Sequence, residues 1–448
     1  MDSPEYLERR KTPFSPPTVT LKEIHDAVPK HLLKGNPVLA TLYVLRDISF
    51  TLLLFKLASR ISDVEAYLTS PVLGILVKSF LWLAYWWVQG LVWAGIFCLG
   101  HDAGHGTLYR STRVNNLVGF VLHTALLIPY YAWRATHHAH HKATSSMERD
   151  ENYVPYLRSD YGLPSKEKAR QFDYDEVFEE TPIYTLSRML IMQGLGWWVY
   201  LAKNTMGSKM YSSGTNHFDP DSPLFKPEQR NAIIISDIGL IAMVLLLTYA
   251  GPGFFFKYYL VPYLLTNHWS VSPTLHLSTV PSISHPSRVM IIHSIHRFPV
   301  MFTYLHHSDP TIPHYRKAEW SFLRGAAATV DRPLLGWMGR FFFHNISHDH
   351  VAHHFFSSAP FYNGPAITQV VKNVLGDSYN YDSTPSFYAL YRSFTQCLFV
   401  EEEGDIVFYK NKNGEAAREV AYDAVKRIRV DGWNPVAQDE LDEKNKEE

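Results

Sequence analysis

The run from Pro71 to Gly100, PVLGILVKSFLWLAYWWVQGLVWAGIFCLG, carries one charge, Lys78. As an α-helix it reaches about 45 Å at about 1.5 Å per residue, whereas the hydrocarbon core of a bilayer is roughly 30 Å thick. Such a helix crosses a membrane and its far end stands in water. The residues that follow it at once are HDAGH, with His101 and His105, so the overhang carries imidazoles.

Three further runs are long and apolar enough to join it. Pro37 to Arg60 is interrupted by Arg46, Asp47 and Lys56, and Asn231 to Gly251 is followed by a Gly251-Pro252-Gly253 turn and by Phe254 to Trp269 running back. Glycine and proline in that turn do not continue a helix, so the last pair reads as a hairpin. Val114 to Tyr131 and Ile191 to Ala202 are shorter or amphipathic and suit the membrane interface. The expected fold is an all-α membrane protein of about four transmembrane helices (37–60, 71–100, 231–251, 254–269) in two hairpins, with a cytosolic helical cap. The alternative, a buried helical core of a soluble protein, leaves the length of Pro71 to Gly100 unexplained. Residues 1–35, polar and proline-rich with no signal peptide, are expected to form a mobile cytosolic arm. Residues 36–412 form the membrane domain, and 413–448 a polar tail whose end is disordered, preceded by a short hairpin at EEEGDIVFYKNKNG. An even number of spans returns both termini to one side, and Lys30, Lys34, Arg110 and Arg113 near the span ends mark that side as cytosolic.

A net charge of -1 argues against a nucleic-acid partner, and two separated cysteines, Cys98 and Cys397, make neither a disulfide framework nor a thiolate metal site. Histidine, at 23 copies, is the unusual component. His101 and His105 stand at i, i+4 on one helical face. In AWRATHHAHHKA, His137, His140 and His141 stand at i, i+3, i+4 within an arc of about 100°, with His138 outside it, and in HVAHH, His350, His353 and His354 repeat the spacing. Three copies of a pattern that puts imidazoles on one face are a ligand set rather than core packing. A catalytic zinc ion takes three protein ligands and a structural one four, so eight histidines imply two ions. Neutral imidazole suits zinc, copper, iron and nickel, and the lack of a nearby thiolate or carboxylate cage disfavours copper(I), calcium and manganese. Two iron ions in higher coordination use the ligand number best, and a zinc pair remains open on chemistry alone. Soluble di-iron bundles mix carboxylates with their histidines.

The order and spacing of HDAGH, HHAHH and HVAHH, with ERDENYVP after the second, RGAAATVDR before the third, NHFDP at Asn216 to Pro220 and TYLHHSDPTIPHY at Thr303 to Tyr315, resemble the membrane fatty-acyl desaturases. The likeness runs from about Thr12 to about Lys412 and is greatest to the Δ12 (oleate) type of fungi and plants. It implies a two-iron oxidoreductase that uses O2 and two electrons, normally from cytochrome b5, to remove two hydrogens from an acyl chain carried as acyl-lipid or acyl-CoA. The chain holds no haem-binding motif, so the donor is expected to be a separate protein. Breaking an unactivated C–H bond requires an oxidant that side chains do not supply, and choosing one methylene pair among chemically alike neighbours requires a fixed chain, as an apolar tunnel beside the bilayer provides.

Carried onto this sequence, the resemblance implies iron ligation by His101, His105, His137, His140, His141, His350, His353 and His354. It adds His307, with His306 as its rival, and gives His344, Asn345 and Asp102 the task of orienting ligands. The same scaffold serves Δ15 desaturases and acyl hydroxylases. A histidine-lined metal transporter, the reading from another class, would place its ionisable residues along the spans. KNKEE, with Lys444 and Lys446, resembles a dilysine retrieval signal and implies the endoplasmic-reticulum membrane. One stretch departs from the family: in place of a continuous helix, Ser270 to Pro299 intervenes before His307, as expected of a retained intron or a lineage-specific loop. Its His276, His285, His293 and His296 are poor ligand candidates.

Overall fold

The computed structural model describes residues 1–178, 181–270 and 301–421. Two short helices, α1 (Pro4–Lys11) and α2 (Leu21–Ala27), precede the long helices α3 (Pro37–Ala58) and α4 (Pro71–His105). Both long helices start with a polar cap followed by proline. Asn36 accepts from the N–H groups of Val38 and Leu39, and Ser70 from that of Leu73, which satisfies donors that the first turn leaves free.

α4 has 35 residues, about 52 Å at about 1.5 Å per residue. Its first half exposes Val72, Ile75, Leu76, Phe80 and Leu83, whereas Leu91 to Gly104 are buried among other helices. Gly106, at φ 78°, ends it immediately beyond His105. The charges that interrupt α3 are accounted for by partners: buried Asp47 accepts from Arg46 at 2.7 Å and pairs with His344 at 2.8 Å, and Arg46 also reaches the Phe341 carbonyl. Gly95 of α4 leaves room for this contact, since a Cβ there would lie 2.4 Å from the Phe342 carbonyl oxygen and 2.9 Å from Asp47.

α5 (Thr112–Ala125) and α6 (Tyr130–Ala143) follow, bent 109° from each other. α5 exposes Val114, Leu117 and Val121, as an interfacial helix does. α7 (Gln171–Phe178) is short, and α8 (Pro182–Lys203) exposes Ile183, Leu186 and Leu190 at helical spacing. α9 (Arg230–Ala250) is the third helix long and apolar enough to cross a membrane. Gly251, at φ 85°, turns the chain into α10 (Pro252–Phe254), a π-helical stretch over Phe255–Leu260, and α11 (Val261–Ser270). The wide turns have a cause. Pro262 has no N–H to give to the Tyr258 carbonyl; the Tyr85 hydroxyl donates to that oxygen instead, and Trp86 donates to the Lys257 carbonyl.

The cap comprises α12 (Met301–His307), β1 (His314–Tyr315), α13 (Phe322–Ala327), α14 (Trp337–Phe342), α15 (His350–Phe355), α16 (Gly364–Leu375), α17 (Ser386–Gln396) and β2 (Ile406–Val407), the strand pair being antiparallel. The two largest apolar cores of the described residues position the site. One lies among α4, α5, α6 and their neighbours, and the other joins Leu21 and Ile24 of α2 to Phe322, Val351, Phe355 and Val371 in the cap. The histidines lie where the two meet. The Asn413-Gly414 turn of the expected hairpin is present, with Gly414 at φ 74° and Lys410 bridged to Ala416, but Ile406–Val407 pairs with β1.

The first residues are not the free arm expected from their polarity. Tyr6 is buried, Ser3 caps α1 and bonds Asp382, and Phe14 pairs with Glu419 and Ala421, so the start of the chain and residues 419–421 lie together. Most of the Ser270 to Pro299 stretch, with its four histidines, and the KNKEE signal lie outside the described residues.

Candidate metal centre

Four helices deliver the imidazoles. α4 presents His101 and His105 one turn apart, α6 presents His137, His140 and His141, α15 presents His350, His353 and His354, and α12 ends on His307. Their ligand atoms form two groups, His101, His105, His137, His141 and His353 in one, and His140, His307 and His354 in the other. His350 Nε2 lies 3.0 Å from His307 Nε2 and 3.1 Å from His354 Nε2, which makes the second group four. All nine are buried or half-buried.

The spacing suits a cation. The Nε2 atoms of His105 and His137, of His137 and His141, and of His141 and His353 are 3.1, 3.1 and 3.2 Å apart. Nitrogens that face each other with lone pairs repel unless a positive ion lies between them. With metal–nitrogen bonds of about 2.1 Å, two imidazole nitrogens that bind one ion lie about 3.0–3.4 Å apart, so the observed spacing suits a metal ion.

The outward ring atoms set the tautomers. His140 Nδ1 bonds Asp150 Oδ1 at 2.7 Å, His101 Nδ1 bonds Asp102 Oδ1 at 2.9 Å, and His354 Nδ1 lies 3.1 Å from the Thr144 hydroxyl. A proton held on Nδ1 leaves the Nε2 lone pair for the centre. His140 Nε2 is buried without a hydrogen-bond partner, an orphaned atom that a metal satisfies. Burial, reinforced by neighbouring imidazoles, holds His350 and His354 well below the usual imidazole range, so both are neutral at neutral pH. Trp133 stacks on His137 with ring centroids 4.6 Å apart, and Tyr153 stacks on His307 at the same distance.

The fatty acid desaturase family model matches residues 80–385. The chain is 39% identical over 403 residues to a Delta(12) fatty acid desaturase of Mortierella alpina, covering 88% of this chain and 91% of that protein. It is 33% identical to an oleate hydroxylase of Claviceps purpurea (89% and 82% covered) and 32% identical to a Delta(12) fatty acid desaturase of Calendula officinalis (91% and 95%). The chain belongs to the fatty acid desaturase family. It is therefore an oxidoreductase of lipid metabolism with a membrane-embedded body.

Other residues of the desaturase singled out from the sequence take distinct places. His306 Nε2 bonds the Ser347 carbonyl and hydroxyl at 3.2 and 3.1 Å while its ring stacks on His350, so His307, not His306, faces the cluster. His138 points away, to the Gly104 carbonyl. Asp102 touches His101 directly, whereas His344 pairs with Asp47, and Asn345 bonds Arg340 and the Phe361 carbonyl. Asp102, His344 and Asn345 line one cleft that reaches His353. Sequence reasoning missed Asp150, which lies in the quoted ERDENYVP phrase and is the buried partner of His140, and Asp331 in RGAAATVDR, which accepts from the Val351 N–H at the start of α15. An acidic residue shortly after a histidine cluster was the available signal for Asp150.

Proposed function

We propose that the desaturase converts an oleoyl chain, as acyl-lipid or acyl-CoA, to linoleoyl by forming the Δ12 double bond at two iron ions, with cytochrome b5 as electron donor. It would act in the endoplasmic-reticulum membrane with the cap and both termini on the cytosolic side. The observation that carries the reading is the gathering of nine imidazoles into two groups, five in one and in the other three with the adjoining His350, at the spacing of metal ligands. The Δ12 position is supported by the likeness to the Mortierella and Calendula proteins.

When bound, the ions supply, with O2 and two electrons, the oxidising power that side chains lack. The rest belongs to the chain. Asp102 and Asp150 hold His101 and His140 with Nε2 inward, and Asp331 anchors the turn that aims His350, His353 and His354. Trp133 and Tyr153 cover His137 and His307 with ring faces and keep water from them. The exposed apolar faces of α3, α4 and α9 keep the site beside the bilayer from which an acyl chain arrives.

The test is expression in a yeast strain that makes only monounsaturated fat, with the chain as written and with Ser270 to Pro299 deleted. Linoleate is the expected product. Contact between α11 and α12 across that stretch supports activity of the shortened chain. Linoleate from the shortened chain alone would favour a retained intron, and linoleate from both would make the stretch a tolerated loop. Absence of any new acyl product from either would refute the proposal. A hydroxylated oleate would favour the second reading, oleate hydroxylation, which rests on the likeness to the Claviceps protein.

A further inference from the structure

Behind His307 lies a cluster of charges that the metal site does not use. Asp309, two residues on, is fully buried and accepts from Arg332 at 2.6 Å and Arg392 at 3.4 Å. Asp382 accepts from the same two guanidinium groups. Arg332 also donates to the Leu305 carbonyl at 2.8 Å, and the Val330 N–H donates to the His306 carbonyl, so the backbone just before His307 is held here while the Asp309 side chain is held two residues after it. Buried ions of this kind hold their positions because loss of any partner strands a charge.

The N-terminal segment closes the lattice. The Ser3 hydroxyl donates to Asp382 at 2.7 Å, Asp2 pairs with Arg392, and the Tyr6 ring lies 3.5 Å beneath the Arg392 guanidinium. Arg9 donates to the Thr311 hydroxyl at 3.1 Å and to the Tyr381 carbonyl, and lies 3.9 Å from Asp309. With Asp2 and Arg9 in place, three carboxylates face three guanidinium groups. Among the described residues, the five-histidine group takes its members from α4, α6 and α15 and none from segment 305–311.

We propose that residues 2–9 act through this lattice as a positioning element for His307, setting the metal affinity of the four-histidine group and leaving the five-histidine group unaffected. The inference rests on the two-ion reading above. Its test is titration of the metal-free full chain in detergent with Co2+, read as cobalt bound per chain and by the visible spectrum, for wild type, Arg9→Ala, Arg9→Lys and a deletion of residues 2–11. Wild type is expected to bind two ions. In Arg9→Ala one ion should bind as in wild type and the other 10- to 100-fold more weakly, the range for loss of groups that orient ligands. Arg9→Lys should restore most of the loss, and His105→Ala should weaken the opposite ion. Arg9→Ala binding both ions as in wild type, or both equally weakened, would overturn the positioning role. Should the deletion not fold, Arg9→Ala, at the rim of the lattice, decides alone. Wild type binding fewer than two ions would overturn the two-ion reading itself.

Discussion

Replacing Asp150 by asparagine tests whether the carboxylate behind His140 serves the metal or only the fold. Asp150 Oδ1 accepts from His140 Nδ1 at 2.7 Å, Asn152 N at 2.9 Å and Tyr153 N at 3.3 Å, and Oδ2 accepts from Ser145 N at 2.8 Å. Alanine would strand three buried donors at about 1–3 kcal/mol each, and the half-buried Asn152 N–H besides, comparable with the whole stability of a domain, about 5–15 kcal/mol. Asparagine keeps the shape. Its oxygen continues to serve the three donors on the Oδ1 side, and its amide nitrogen faces the Ser145 N–H, one donor against another, for about 1–3 kcal/mol. The bond to His140 loses its charge assistance, and with it about half its strength. Metal affinity at the four-histidine group should therefore fall about 10- to 100-fold, about 1.4–2.7 kcal/mol. The assay is metal titration of the purified variant beside its melting temperature and its linoleate yield in yeast. A variant that melts lower yet binds metal as wild type does would refute the assignment, because the carboxylate would then matter to the fold alone.

His307→Ala should abolish activity and remove one ion, whereas His306→Gln should keep two ions and lose only part of the rate; the reverse order in metal analysis would reject the choice between them. Gly95→Ala drives a methyl group into the Phe342 carbonyl and Asp47 and should cost about 1–3 kcal/mol, seen as a lower melting temperature, with an unchanged one counting against the packing. The metal-free protein should lose stability on acidification. His350 and His354 are depressed in the folded chain, so the unfolded chain binds more protons below about pH 6.5, and the two together give a limiting slope of about 2.7 kcal/mol per pH unit. Melting temperatures between pH 8 and 5.5 check this, and a flat profile would contradict it.

The histidine boxes were legible because each lies within one helix, where spacing alone decides which side chains share a face. His307 was not legible by itself. It comes from a separate helix, and only the family register distinguished it from His306, whose ring ends 4.2 Å from that of His350 yet faces Ser347. Asp47 looked like a defect in the first span because sequence shows a charge but not its partner, His344, which lies 297 positions away. The N-terminal residues were misread for the same reason. Arg9, Asp2 and Ser3 have the composition of a solvated arm, and their burial depends on Asp309, Asp382 and Arg392, three charges that are distant in sequence. The π-helical stretch was hidden too, although Pro262 marks it, because its freed carbonyls are satisfied by Tyr85 and Trp86 on another helix.

The pairing of Phe14 with Glu419 and Ala421 bears on how the chain is made. A ribosome releases Ala421 more than 400 residues after Phe14, and at about 5–20 residues per second the first partner waits about 20–80 seconds for the second. Through that interval the spans can insert and all nine histidines can be present while the pairing that sets Phe14 against Tyr315 and Arg418 on the Thr311 carbonyl stays open. A nascent chain halted before residue 419 would carry every imidazole and still lack that closure. A chain at that stage is complete in its ligands and incomplete in its framework.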